Sequence, residues 1–267
     1  GQWTVLATAG GYPAVWGTSI RPYPEAGGVV ATIAVIDQTY VRVGMFNGGE
    51  EPGGHWQRVN RVPAELYASL LAVFNGGFRQ QDYGGGYMTE GKYVKPMRPG
   101  DGTIAIGRDG KLVIGEMGRE IQDDGSWVSL RQNLMLMVDD GVSMVGTEKT
   151  KRVWWGANYG SEVYTIRSAV CELSDGRIAY AYVGDVDAGQ MAQSLVNMGC
   201  VKAIQLDING TWPNFQSFVH NPDGSLQPVF LDRRMGSNTY RYLRGSAKEF
   251  FAFFDIAQLP ATSVLDA

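Results

Sequence analysis

Two aspartates stand where a carboxylate could do chemistry. In "QLDINGTW" (205–212) an apolar run, with Val201, Ala203, Ile204 and Leu206, ends on Asp207, and Ile208, Asn209, Gly210, Thr211 and Trp212 follow. In "YVGDVD" (182–187) a second apolar run ends on Asp185. Scaffolds present reactive groups at strand ends, and a pair of carboxylates at one rim is the residue set of general acid and base chemistry. Asp-x-Asn-Gly is also ordinary turn chemistry on backbone grounds alone. Spacing by itself favours the turn, so the surrounding elements must decide.

Other reactive patterns fail. "GGYMTEGKY" contains Gly86-x4-Gly91-Lys92, but Tyr93 stands where a phosphate-binding loop needs Ser or Thr. The segment reads instead as a hairpin turning at Glu90-Gly91-Lys92. No Gly-x-Ser-x-Gly elbow occurs, and with only His55 and His220 in the chain a Ser-His-Asp triad has no support. Cys171 and Cys200 are the only cysteines and form no Cys-x-x-Cys pair, which argues against a zinc site. They fit either two buried thiols or one disulfide. A metal is not required; Ca²⁺ would suit a carboxylate-amide cluster of oxygens best.

The elements that must position the two aspartates follow from pattern. Asp-Gly turns recur at Asp109-Gly110, Asp140-Gly141, Asp175-Gly176 and Asp223-Gly224. Several lie between apolar or alternating runs, the strongest short-range hairpin signal. The fold class is therefore α+β, with mixed, largely antiparallel sheets and few helices. "VPAELYASLLAVF" (62–74) reads as one helix, with Pro63 near its first turn and Leu66, Leu70, Val73 and Phe74 at helical spacing. "DAGQMAQSLVNMG" (187–199) reads as another, with Asp187 as N-cap, Gln190 completing a capping box and Gly199 as the stop. Its methionine and leucine stripe (Met191, Leu195, Met198) is core rather than a cofactor box. Strand 177–183, this helix and strand 201–206 then make a parallel crossover, right-handed by the usual rule. Ligands gather beyond the carboxyl ends of such strands, so Asp185 and Asp207 are expected at one rim, and a site becomes the better reading.

Size and charge narrow the partners. The chain has 267 residues, 44% of them hydrophobic, with a net charge of −4 and no basic run, which argues against nucleic acid. No apolar run approaches the ~20 residues of a membrane helix. The opening "GQWTVLATAG" lacks a charged n-region and an h-region, so any signal peptide is expected to have been removed already. No repeat or linker interrupts the chain, and a single domain over 1–267 is expected.

The chain resembles the phosphodiester glycosidase family. The likeness lies in "FNGGF" (74–78), "RSAVCELSDGRIAYAYVGD" (167–185) and "AGQMAQSLVNMGCVKAIQLDING" (188–210). It covers roughly residues 70 to 250, and "RYLRGSAKEFFAFF" is similar to closing strands of some bacterial members. The family's Asp-Gly-Gly-Gly-Ser-Ser is replaced here by Asp207-Ile208-Asn209-Gly210-Thr211-Trp212. Side chains where glycines allow close approach must reshape a pocket.

The resemblance implies hydrolysis at an anomeric carbon with a phosphate as leaving group. Such a group needs positive charge around its oxygens more than it needs a general acid. Arg167 is the first candidate for that charge, Arg233 or Arg234 the second. If the aglycone is instead a sugar hydroxyl, Asp185 and Asp207 supply the paired carboxylates, with Glu90 as a third carboxylate that also suits a turn. Asn75 would bind sugar hydroxyls or orient a carboxylate, with Gly76 and Gly77 permitting close approach. Asn209, Gly210, Thr211 and Trp212 would line the rim, and Trp154, Trp155 and Tyr159 could form a second aromatic wall. The expected partner is a carbohydrate or sugar phosphate, with hydrolysis or transglycosylation of ordinary glycosidic bonds in a polysaccharide, or non-catalytic sugar binding, as alternatives. Export to the cell surface or medium is expected from the family.

Overall fold

The computed structural model describes residues 1–23, 27–146, 152–157, 160–236 and 238–267. The Asp-Gly pairs turn hairpins as their chemistry requires: Gly110, Gly141, Gly176 and Gly224 adopt φ of +75°, +75°, +81° and +80°, a region open to glycine without steric cost. Among the described residues three sheets result, and every ladder between their strands is antiparallel.

The elements that carry the site are β1 (Leu70–Asn75), β2 (Thr165–Leu173), β3 (Ile178–Val186), α1 (Ala188–Asn197), β4 (Cys200–Gln205), β5 (Phe215–His220) and β6 (Phe250–Asp255). The largest sheet runs Thr4–Ala9, Tyr12–Ile20, Ala31–Ile36, β3, β2, β4, Val138–Asp139, Val142–Ser143. A second has Trp127–Gln132 and Gly102–Gly107 at its centre. The third runs Leu226–Phe230, β5, β1, β6, Val41–Phe46.

The helix α1 forms where the capping box placed it. Asp187 accepts from the Gln190 N–H at 2.8 Å, and the Gln190 side chain accepts from the Asp187 N–H at 3.1 Å. Met191, Ala192 and Leu195 bury against Ala179, Ala181 and Val183 of the large sheet. Since β3 and β4 both run antiparallel to β2, which lies between them, they are parallel to each other. The crossover therefore exists but skips one strand.

One helix expectation fails. Residues 64–69 form a short 3-10 helix, and 70–75 are strand β1, buried throughout. The physical reason is two-sided burial. In β1, Leu71 and Phe74 pack into a core shared by all three sheets, while Leu70 and Val73 face a second core with Phe250 and Phe254 of β6. A strand buried on both faces is an unbroken apolar run, which periodicity alone does not separate from a helix.

Cys171 of β2 and Cys200 at the start of β4 form a disulfide, with Cα atoms 5.7 Å apart. It staples the two strands at the end of the ladder opposite Asp207. Among the described residues no helix is long and apolar enough to cross a membrane.

Candidate active site

Asp207 follows β4 directly, and its place is fixed from three sides. Its N–H donates to the Gly76 carbonyl at 3.2 Å, and its own carbonyl accepts from Ser168 Oγ at 2.6 Å. One carboxylate oxygen accepts from the Asn209 N–H at 2.9 Å, and the other pairs with Lys248 Nζ. Both side chains of that ion pair are buried, at 7% and 3% exposure. Burial raises the Asp207 carboxyl above the usual carboxylate range, although Lys248 and the Asn209 N–H pull the other way.

Lys248 also donates to the Gly77 carbonyl at 2.7 Å, and Gly77 N–H donates to Glu249 Oε1 at 2.9 Å. Glu249 is in turn paired with Arg131 at 2.7 Å, both at 1% exposure. The glycine at 76 is needed for space: a Cβ there would lie 2.3 Å from Glu249 Oε1. The "FNGGF" turn and the start of β6 are thus locked together beneath Asp207.

Above Asp207 lies an open cavity of about 410 Å³. Phe78, Arg79, Asp82, Tyr83, Trp154 and Trp212 are among its lining residues, together with Ile208, Asn209 and Asp207 itself. Trp212 is held by a turn in which its N–H donates to the Asn209 carbonyl at 2.7 Å. Three cations lie over its ring, Arg241 at 4.9 Å, Lys248 at 5.1 Å and Arg79 at 5.6 Å from the centroid. At these distances the ring face attracts positive charge.

The family profile of the phosphodiester glycosidases matches residues 68–210, more than half of the chain. This chain belongs to that family. No curated protein sequence is significantly similar to it. Among solved structures, the chain is similar to the catalytic domain of zebrafish N-acetylglucosamine-1-phosphodiester alpha-N-acetylglucosaminidase, there auto-inhibited by its pro-peptide. The identity is 18% and the TM-score 0.56, over 94% of this chain and 86% of that one. It is also similar to a hypothetical protein from Synechocystis, 11% identical with a TM-score of 0.52, over 92% of this chain and 63% of that one. At such identities the likeness concerns the fold, and it supports the α+β class with mostly antiparallel sheets.

Against this family background the expected site residues fall in several different places. Asp207, Asn209 and Trp212 border the cavity, as does Trp154. Asn75 lies behind it, saturated: its amide donates to the Gly76 carbonyl and Ser168 Oγ, and its oxygen accepts from Tyr180 Oη and the Asn214 N–H. Gly210 and Thr211 are exposed on the turn, and the Thr211 carbonyl accepts from Arg241 at 2.6 Å. Trp155 is 1% exposed and belongs to the core; Tyr159 lies outside the described residues.

Arg167 is also behind the cavity rather than in it. It is fully buried, and its five N–H groups donate to the carbonyls of Val186, Trp155, Gly156 and Val163 and to Gln205 Oε1. Burial lowers its pKa to about 10, against the pull of Asp187. Asp185 stands on an exposed bulge of β3 at φ +54°, away from the lining residues, because the register slips between Thr165 and Arg167 opposite. Arg233 is exposed and does not border the cavity, while Arg234 pairs with Asp232 at 2.7 Å. Glu90 turns a hairpin with Gly91, at φ of +52° and +68°, and accepts from the Arg58 N–H.

Lys248, Arg241, Arg79 and Asp82 were missed by sequence reasoning. Lys248 and Arg241 fall after the matched segment, in "RYLRGSAKEFF", whose only signal is two cations and a Lys-Glu pair before a phenylalanine-rich strand. Among the described residues no group of three or more His, Cys, Asp or Glu could hold a metal ion.

Proposed function

We propose that this protein hydrolyses the bond between a sugar's anomeric carbon and a phosphodiester. The observation that carries this is a buried carboxylate, Asp207, bordering a cavity that Arg79 and Trp212 also line. The anomeric C–O bond breaks, its electron pair stays on the phosphate oxygen, and the phosphomonoester leaves as a weakly basic anion. A water oxygen bonds to the anomeric carbon, and Asp207 takes the water's proton. Arg79, which lines the cavity, supplies positive charge that stabilises the charge growing on the leaving phosphate. Family membership supports the reaction class, and the disulfide supports export to an oxidising compartment.

A second reading has one observation in its favour: Asp82 lines the same cavity as Asp207. Two carboxylates across a cavity suit an ordinary glycosidic bond, with one as acid. The deciding experiment incubates wild type and Asp207→Asn with a panel of sugar phosphodiesters and neutral glycans, with products read by mass spectrometry. Free sugar from a phosphodiester, reduced about a hundredfold or more in the variant, is the expected outcome. Products from glycans alone would move the assignment to the second reading, and sugar binding without turnover would leave a carbohydrate-binding protein.

A further inference from the structure

Three asparagine-glycine pairs occur in the chain, Asn47-Gly48, Asn75-Gly76 and Asn209-Gly210. With no Cβ on the second residue, its backbone nitrogen can approach the asparagine side chain unhindered. The structure disarms two of these pairs. Asn47 is 1% exposed; its amide donates to the Arg58 carbonyl and Thr89 Oγ1, and its oxygen accepts from Tyr87 Oη. The Gly48 N–H donates to the Glu51 carbonyl at 2.9 Å. Asn75 is buried with its amide saturated, and the Gly76 N–H donates to the Glu249 carbonyl at 3.1 Å. In both pairs the attacking nitrogen and the side-chain carbonyl are held by other groups.

The third pair is different. Asn209 borders the cavity, and Gly210 is exposed on the turn. Among the described residues neither the Asn209 side chain nor the Gly210 N–H has a hydrogen-bond partner. Only the Asn209 backbone is held: its N–H donates to Asp207 at 2.9 Å, and its carbonyl accepts from the Trp212 N–H at 2.7 Å. Around Gly210 there is open space, with no atom within 4 Å of where a Cβ would stand.

We propose that Asn209-Gly210 is a self-modification site, which converts a neutral amide on the cavity wall into a carboxylate. The Gly210 nitrogen gives up its proton and bonds to Asn209 Cγ, closing a succinimide ring. The Cγ–Nδ2 bond breaks, and its nitrogen takes up the proton and leaves as ammonia. Water then adds to one ring carbonyl and reopens the ring. Opening at Cγ gives aspartate. Opening at the main-chain carbonyl carbon gives isoaspartate, which lengthens the backbone between Asp207 and Trp212 by one carbon. Either product adds a negative charge close to Asp207. Resting on the reaction proposed above, that charge opposes an anionic substrate, so the site loses activity as it ages.

The test incubates the folded full chain at mildly alkaline pH, which favours loss of the amide proton. Samples are followed by peptide mapping with mass spectrometry, in which exchange of NH for O marks conversion, and by enzymatic methylation of isoaspartate. Wild type in urea, Gly210→Ala and Asn209→Asp are run beside it. In the folded chain Asn209 is expected to convert about a hundredfold faster than Asn47 or Asn75, which must first be released by local opening. In urea the three rates should converge. Gly210→Ala should slow conversion about tenfold by crowding the nitrogen; its backbone lies outside the left-handed region, so alanine fits. Asn209→Asp should lower kcat/KM on a sugar phosphodiester about three- to tenfold.

Asn209 left intact in the folded chain while the unfolded chain converts would overturn the assignment, and so would equal conversion of all three pairs in the folded chain. A Gly210→Ala rate equal to wild type would refute the succinimide route. If that variant does not fold, the three pairs within wild type carry the comparison. Unchanged kcat/KM in Asn209→Asp would overturn the loss of activity. Wild type that cleaves no phosphodiester would refute the proposed reaction instead, and the mass measurement stands apart from that result.

Discussion

Lys248 makes two contacts that nothing else in the site could replace, one to Asp207 and one to the Gly77 carbonyl. Both charges of the pair are buried, so removing one leaves the other desolvated and unmatched. Lys248→Met is therefore expected to destabilise the fold by about 3–5 kcal/mol in urea unfolding, and to abolish turnover. Asp207 adds a pH signature. Its carboxyl is held above the ~3.9 of an unfolded aspartate, so the folded state binds its proton more readily. That contribution to stability is complete below the unfolded pKa and disappears as pH rises through the folded one. In the reaction proposed above Asp207 accepts a proton only when ionised, so kcat/KM should rise with pH along a limb above the ordinary aspartate value. The limb should vanish from the residual rate of Asp207→Asn. At this scale Asp207 was legible, because a carboxylate ending an apolar run is a sequence pattern. Its counter-ion was not: Lys248 lies 41 positions further on, and nothing in "GSAKEFF" says which acid it will meet.

Among the elements, β2 does the positioning. Arg167 projects from it to tie down carbonyls from Trp155, Gly156 and Val163, a stretch that borders the cavity at Trp154 and Gly156. Arg167→Lys keeps the charge but cannot reproduce five directed bonds. It is expected to cost about 2–4 kcal/mol, since buried carbonyls lose their donors. KM should rise by a similar factor for phosphodiester and for neutral glycoside; a rise confined to the phosphodiester would mean that Arg167 meets the phosphate after all. The hairpins and α1 were readable because Asp-Gly turns and a capping box are local signals, complete within four residues. β1 was not, because its burial is imposed by β5, β6 and two separate cores that are distant in sequence. For the same reason Asp185 was expected at the Asp207 rim: strand order set its end correctly, but the bulge at Gly184–Asp185 depends on the partner strand.

For the whole molecule, the disulfide and the order of the chain matter most. Cys171 and Cys200 close a loop with a sequence separation of 29, which in the chain-entropy picture contributes about 3–4 kcal/mol. The Cys171→Ala, Cys200→Ala double variant should therefore melt lower by roughly 6–15 °C, with activity retained below its Tm because the staple lies at the far end of the ladder from Asp207. A Tm unchanged by the substitution would refute the staple's contribution.

The recognisable motifs are all made by Gly210, yet Lys248 lies 38 residues later. At a synthesis rate of 5–20 residues per second, a growing chain carries Asp207 without its counter-ion for roughly 2–8 seconds. During that interval β1 also lacks β6, its neighbour in the third sheet. The carboxylate spends it without the ammonium group that pairs with it in the folded chain. Such a ribosome-bound chain already carries the residues that the family profile matches, while Asp207 has still to meet the partner that fixes it.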